Sequence, residues 1–380
     1  MKINLHALSP VHIGSGVEYQ GNAEYLYFQD ERVIVLADEQ KVLTIIGEEN
    51  IPIWINYIEG RQEDFLNYLR QRKPDVKASD IGRRIIPLQG NQAPYFTNTL
   101  REQMHGGMGE AYIPGTSIKG AIRTAIFAKS LMDRYEKTGI KKEKLPIQYK
   151  MNNPFQVKDY LLQKEVFGKN PNSDWMRMLQ VGDCYFSAGT HAAFAETLNE
   201  YNNQRYEIKH EVRQLIEFLP KGTSASFVMR VPDKHLERIH EFNPRLFPAA
   251  TRELSLAGIF QTVNRHSLRL LDSELEFFED ADLPPEMAGL LDFLNFLRAE
   301  AAAYSENECL LRLGFGTGYR SMTGDWVKEL VFDDDLYDDI ATVTRRTARY
   351  NSFPLPKSRK IMFDGELPGF VKLTLQNQNS

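Results

Sequence analysis

The stretch Tyr112–Lys129, YIPGTSIKGAIRTAIFAK, carries the reading of the fold. A short apolar approach reaches Pro114 and Gly115, Thr116 and Ser117 follow, and a helix begins at once. Ile118, Ala121, Ile122, Ala125 and Ile126 recur at i, i+3, i+4, i+7 and i+8, the spacing of one buried helical stripe. Ser117 or Thr116 is the expected N-cap, with Gly115 allowing a tight turn before it. Lys119 and Arg123, four residues apart, share a different face where neither needs burial. Helix N-terminal N–H groups, hydroxyls and two flanking cations suit a phosphate, so this stretch points to nucleic acid.

Composition narrows that reading. At 380 residues, two domains are expected, and 42% hydrophobic with 26% charged residues describes a globular chain. The formal net charge of −5 gives no global basic field, so a nucleic-acid site has to be a local groove. The two cysteines, Cys184 and Cys309, are expected as buried free thiols, and they are too few for a cysteine zinc site. No apolar run has the length of a signal peptide or a membrane span, so a cytoplasmic protein without membrane contact is expected.

Around the central helix, Ile3, Leu5 and Ala7 alternate with polar residues as a first strand. Strands are expected over 23–29 and 32–36, a short helix over 38–46, and a more polar helical stretch over 51–80. Residues 87–109 lose periodicity and gain Gly90, Gly106, Gly107 and Gly109, which predicts a long mobile loop or hairpin. Further strands are expected at 180–186, 224–231, 309–313 and 370–375, and helices at 253–278, 286–304 and 336–348. The polar segment 199–205 predicts a boundary, dividing the chain into 1–205 and 206–380. Each half then has strands, helices and a glycine-rich loop beside a basic residue.

Gly314, Gly316, Gly318 and Arg320 form a glycine-rich loop, 314–324, after a strand. Tyr319 stands where a dinucleotide fingerprint needs its third glycine, and the loop lacks the ending of a P-loop. It reads either as a structural turn or as exposed N–H groups with Arg312, Arg320 and Lys328 beside them. His12, Gly14 and Gly16 make a weaker version, in which the histidine is a base, a phosphate donor or a cap. The acid run Asp333–Asp339 lacks the spacing of a calcium loop, and acids at a helix start complement the macrodipole. Asp183 reads as a lone carboxylate, and His235 and His240 as surface residues. Arg345, Arg346 and Arg349 with Lys357, Arg359 and Lys360 form a basic C-terminal region. No catalytic triad, cofactor fingerprint or metal motif emerges.

SPVHIGSG, YIPGTSIKGAIRTAIF, LQVGDCYF, LLRLGFGTGYRSMTG and FPLPKSRKIMFDGELPGFVKL occur in an order that resembles the RAMP superfamily of CRISPR-associated proteins. Within that superfamily the likeness is to the subunit that caps the crRNA 3′ end of the type III-A Csm effector complex. The resemblance implies two tandem ferredoxin-like (RRM-like) α+β modules with helical insertions. It implies crRNA binding without catalytic residues, other Csm backbone and small subunits as partners, no cofactor or metal, and host nucleases that trim the crRNA. By motif match, the RNA-contacting positions are His12, Gly14, Gly16, Gly115, Ser117, Lys119, Arg123, Gly314, Gly316, Gly318 and Arg320. The other expectation is an endoribonuclease using His12 as general base or a metal at the Asp333–Asp339 cluster. A third is a structural subunit whose glycine loops serve protein contacts.

Overall fold

The alternation read at the N-terminus sets the two faces of the strand Lys2–Ala7 and, through it, the centre of the molecule. The computed structural model describes residues 1–60, 64–202, 205–231, 255–345 and 355–376. The strand lies in the middle of a five-stranded sheet ordered Gln180–Val181, Ser224–Arg230, Lys2–Ala7, Phe370–Leu375, Glu308–Arg312. All neighbours in that sheet are antiparallel, with Ile3 opposite Phe227 on one side and Leu375 on the other.

One face of the sheet is covered by two long helices, Gly115–Tyr135 and Leu256–Phe278. Ile118, Ile122 and Ala125 of the first and Ile259, Phe260 and Val263 of the second share a core with Ile3, Leu5, Phe227 and Leu373. Ser255 caps the second helix by accepting from the Gly258 N–H. On the opposite face Lys2, Ser224, Ser226, Val228 and Arg230 are exposed, as the period of two requires.

A second, six-stranded sheet runs Arg205–Ile208, His191–Asn202, Gln214–Phe218, Thr99–Gln103, Gly14–Gln20, and Ser358–Ile361 also pairs with His191–Asn202. A three-stranded sheet of Tyr25–Phe28, Val33–Ala37 and Gly82–Pro87 packs with helices Glu39–Ile46 and Phe65–Arg72 around Phe28, Val35, Val42, Trp54 and Phe65. Among the described residues, no helix is long and apolar enough to cross a membrane.

Several expectations change here. The central helix starts earlier than its hydroxyl residues suggest: Pro114 is the N-cap and Gly115 the first helical residue. Of the two expectations for 87–109 the hairpin fits its end, where the Tyr112 N–H donates to the Met104 carbonyl at 3.0 Å and His105 bridges Ala111, while Thr99–Gln103 is an interior strand of the six-stranded sheet with Leu100 fully buried. The division at 205/206 does not separate two sheets: Lys2–Ala7 bonds to Ser224–Arg230 and Phe370–Leu375. The polar segment at 199–205 instead contains the end of the long strand His191–Asn202. Both cysteines are buried free thiols, as expected, and burial pushes Cys184 up to about 12.

Candidate nucleic-acid interface

The two glycine-rich segments, 302 positions apart in motif order from His12 to Gly314, lie against each other. The Phe315 N–H donates to the His12 carbonyl at 2.8 Å, and the two rings meet edge to face at 5.6 Å. Gly314 has φ +88°, and a Cβ there would lie 2.6 Å from the His12 carbonyl oxygen, so only glycine permits this approach. Gly16 and Gly318, also at positive φ, have open space where a Cβ would point.

Beneath this junction is a buried polar node. Glu217, fully buried, accepts from the Arg84 guanidinium and the Gln103 N–H, both at 3.1 Å, and from the Thr190 hydroxyl at 2.5 Å. Its other contact is His105 Nε2 at 3.0 Å, while His105 Nδ1 faces the Gly109 carbonyl at 2.9 Å. The Gln103 side chain accepts from the Ile13 N–H at 2.8 Å and donates to the Tyr112 carbonyl at 3.1 Å. One amide therefore links the His12–Gly16 turn to the approach of the central helix. Arg84 also reaches Glu102, which accepts from Ser15 Oγ at 2.8 Å and Tyr19 at 2.5 Å.

His12 is 4% exposed, and its Nδ1 lies 2.5 Å from the Glu217 carbonyl. A carbonyl only accepts, so Nδ1 carries the proton and Nε2, beneath Gly14, keeps the lone pair. Burial holds this imidazole below its ordinary value of 6.5 and thus neutral, against the raising effect of the Glu217 carbonyl.

His105 goes the other way. Burial opposes its charge, but the Glu217 hydrogen bond and carboxylate and the Gly109 carbonyl outweigh burial, so its value is raised. A raised folded-state value stabilises the protein fully below the unfolded value of 6.5, and that contribution is lost as pH rises through the folded one. His105→Gln is therefore expected to cost most stability at acid pH and progressively less as pH rises. Urea midpoints of both proteins across pH 5.5–8.5 test this; a difference independent of pH would contradict the assignment.

At the central helix, the first amide already holds an anion from the chain itself: the Gly115 N–H donates to Asp183 Oδ1 at 2.8 Å. Asp183 is thus not a lone carboxylate, and Gly115 is not open to a phosphate. A Cβ at Gly115 would lie 2.2 Å from the Val181 carbonyl oxygen. Ser117 is half-buried on the first turn. Arg123 bonds Asp174 at 2.8 Å with its guanidinium 3.5 Å over the Phe167 ring, so its charge is engaged. Lys119, half-buried, has no hydrogen bond or ion pair among the described residues. Burial lowers its value, Asp174 opposing that and Arg123 adding to it.

Arg320 is not on the surface of its loop. It is 7% exposed, donates to the Ser273 carbonyl at 2.8 Å and hydroxyl at 2.6 Å, and lies 3.7 Å from both Glu274 and Asp325. Burial in that ion cluster, not phosphate contact, explains why the loop carries an arginine. Arg359 is in the same cluster, bonding Glu274 at 2.6 Å, and Lys360 donates to Thr197 at 2.9 Å. Part of the basic C-terminal region is therefore interior; Arg346, Arg349, His235 and His240 lie outside the described residues. Asp333 accepts from the Leu336 N–H at 2.9 Å at the start of helix Asp334–Arg345. Asp339 accepts from the Tyr149 hydroxyl at 3.0 Å. Among the described residues no three or more His, Cys, Asp or Glu side chains are grouped to hold a metal.

Sequence reasoning missed Glu217, Gln103, Arg84 and His105. One signal was present: Glu217 is the single acid in the otherwise apolar run Leu215–Phe218, and a charge in a buried strand demands a partner.

A family model described as the RAMP superfamily matches residues 4–321. Among curated proteins, the CRISPR system Cms protein Csm5 of Enterococcus italicus is 25% identical over 147 residues, 33% of this chain and 42% of that protein. The chain thus matches less than half of that relative's length. The Csm5 of Methanocaldococcus jannaschii is 21% identical over 331 residues, 85% of this chain and 72% of that protein. Among solved structures, a chain of the cryo-EM Csm–crRNA–target RNA ternary complex of a type III-A CRISPR-Cas system superposes with a TM-score of 0.64 at 19% identity. The crystal structure of T. onnurineus Csm5 gives 0.65 at 18%, and both comparisons cover 98% of this chain and 100% of the other. At these identities the structural likeness speaks to the fold.

Proposed function

The chain belongs to the RAMP superfamily, and from that premise we propose that it is a non-catalytic crRNA-binding subunit of a type III-A Csm effector complex. In this reading it caps the backbone at the crRNA 3′ end and assists crRNA maturation and antiviral defence in the cytoplasm. Its partners are crRNA and other Csm subunits, and host nucleases do the trimming. The observation that carries it is the junction of the glycine-rich segments His12–Gly16 and Gly314–Gly318, with backbone open at Gly16 and Gly318. Relatives named Csm5 support the assignment to the complex.

The five-stranded sheet supports the finer ferredoxin-like reading for one module. In chain order Lys2–Ala7, helix, Gln180–Val181, Ser224–Arg230, helix, Phe370–Leu375 trace βαββαβ, and their spatial order is 2-3-1-4.

Of the expected cations, Lys119 is the one left without a hydrogen bond or ion pair among the described residues, and it is the contact to test. Lys119→Ala is expected to weaken single-stranded RNA binding several-fold whatever the sequence. It should also flatten the log–log salt dependence by about 0.7. Titrations of the complex from about 50 to 200 mM salt measure both; an unchanged slope would remove Lys119 from the interface. In the same samples, RNA that stays intact with magnesium and with EDTA fits the non-catalytic role.

A second reading, an endoribonuclease, is favoured by one observation: the neutral His12 with its Nε2 lone pair beneath Gly14. Metal-independent cleavage leaving a cyclic phosphate, abolished by His12→Gln, would put that reading first.

A further inference from the structure

Two of the sequence motifs each contribute one aromatic ring whose purpose the fold does not account for. The strands Ala111–Ile113 and Cys184–Phe186 pair antiparallel with Tyr112 opposite Tyr185. Ala111, Ile113, Cys184 and Phe186 all face the core, so the period of two turns both tyrosines to the other side. Around them Gly115 and Asp183 fasten the central helix. The two tyrosines have no such role: their rings stack at 5.0 Å and 20°, Tyr185 is 50% exposed, and neither hydroxyl has a hydrogen-bond partner among the described residues.

We propose that Tyr112 and Tyr185 form a stacking platform for an unpaired base of single-stranded RNA. The inference rests on the RNA-binding reading above and adds a base contact to it. A stacked pair presents a flat π face to any base, and stacking of this kind tolerates sequence. The setting suits a nucleotide. Gly106 lies against the Tyr185 ring, where a Cβ would come within 3.0 Å of Cε1, so the turn borders the platform with bare backbone. Gly107 and Gly109 have open space around them, and Met108 between them is 90% exposed. Lys119 follows Gly115 by one helical turn, which puts a cation on the helix that Tyr112 leads into.

The test uses the full chain, alone and within its reconstituted complex, with a single-stranded RNA carrying 4-thiouridine. Tyr185→Leu keeps an apolar side chain on the strand but removes the π face; Tyr185→Phe keeps the ring. The platform predicts that Tyr185→Leu weakens binding about ten- to hundredfold with the salt slope unchanged, and that Tyr185→Phe binds like the parent. It also predicts photo-crosslinks in peptides containing Tyr112 or Tyr185. Parent-like RNA affinity of Tyr185→Leu overturns the platform and leaves the RNA-binding reading standing. Parent-like RNA affinity together with poorer retention of Tyr185→Leu in the complex assigns the face to a protein partner, which also overturns it. Failure of the parent chain to bind the probe, alone and assembled, overturns both.

Discussion

Glu217→Ala is expected to destabilise the protein by about 3–5 kcal/mol, the cost of removing one partner from a buried charged network. The carboxylate is fully buried, and four groups depend on it: the Arg84 guanidinium, the Gln103 N–H, the Thr190 hydroxyl and the His105 imidazole. Alanine leaves Arg84 with Glu102 as its remaining carboxylate and strands the Gln103 N–H without an acceptor. The loss is not confined to one strand, because Gln103 joins the His12–Gly16 turn to Tyr112. Denaturant midpoints followed by tryptophan fluorescence measure the effect, with Trp175 deep in the main core. Glu217→Gln retains the shape and an acceptor and should lose less. A Glu217→Ala loss under about 1 kcal/mol, the scale of an exposed pair, would show that the network contributes little to stability.

Gly115→Ala is the second large effect, and its sign separates two physical arguments. Helix propensity alone makes alanine better than glycine by about 1 kcal/mol in a helix interior. The structure predicts the reverse, because the added Cβ would lie 2.2 Å from the Val181 carbonyl oxygen and 2.8 Å from that of Gly182. Both obstacles are backbone, so relief requires moving the strand Gln180–Val181 or the helix. Either movement stretches the Gly115 N–H bond to Asp183. A loss at or above the usual overpacking range of about 1–3 kcal/mol is expected. Circular dichroism melting of the variant decides it: a stabilised protein would show that the helix entry has slack.

What was legible in the sequence followed from pattern. The stripe of Ile118, Ile122 and Ala125 placed the central helix because 3.6-residue periodicity survives wherever one face is buried. Ile3, Leu5 and Ala7 placed the first strand for the same reason at period two. The long strand His191–Asn202 was not legible, and two causes are visible. Ala192, Ala193, Phe194 and Ala195 are all buried, so the strand has no wet face to alternate with. Alanine also favours helix over sheet, and only pairing with Gln214–Phe218 and Ser358–Ile361 overrides it.

The candidate site was half legible. The glycines of both loops were visible as turns, but their contact through Phe315 and His12 is a long-range pairing that no local pattern encodes. Arg320 failed for a related reason. A charge beside a glycine loop reads as a surface contact, yet Glu274, on the remote helix Leu256–Phe278, and Asp325, just past the loop itself, draw it inward. Lys119 and Arg123 looked equivalent at i and i+4, and Asp174 makes them different.

The central sheet also fixes when the molecule can be finished. In the order of synthesis Lys2–Ala7 precedes both of its flanking strands, Ser224–Arg230 coming first and Phe370–Leu375 later. Loop closure over most of the chain must precede the pairing of Ile3 with Leu375, which makes this a slow, high-contact-order step. Both edges of Lys2–Ala7 are open until Ser224–Arg230 pairs, and one stays open until Phe370–Leu375 does, a template for stray strands from other nascent chains. A truncated translation product ending before Phe370 would keep one of those edges exposed. A copy without its last strand therefore carries an unpaired edge at the centre of its main sheet, an aggregation-prone feature that the finished sheet hides.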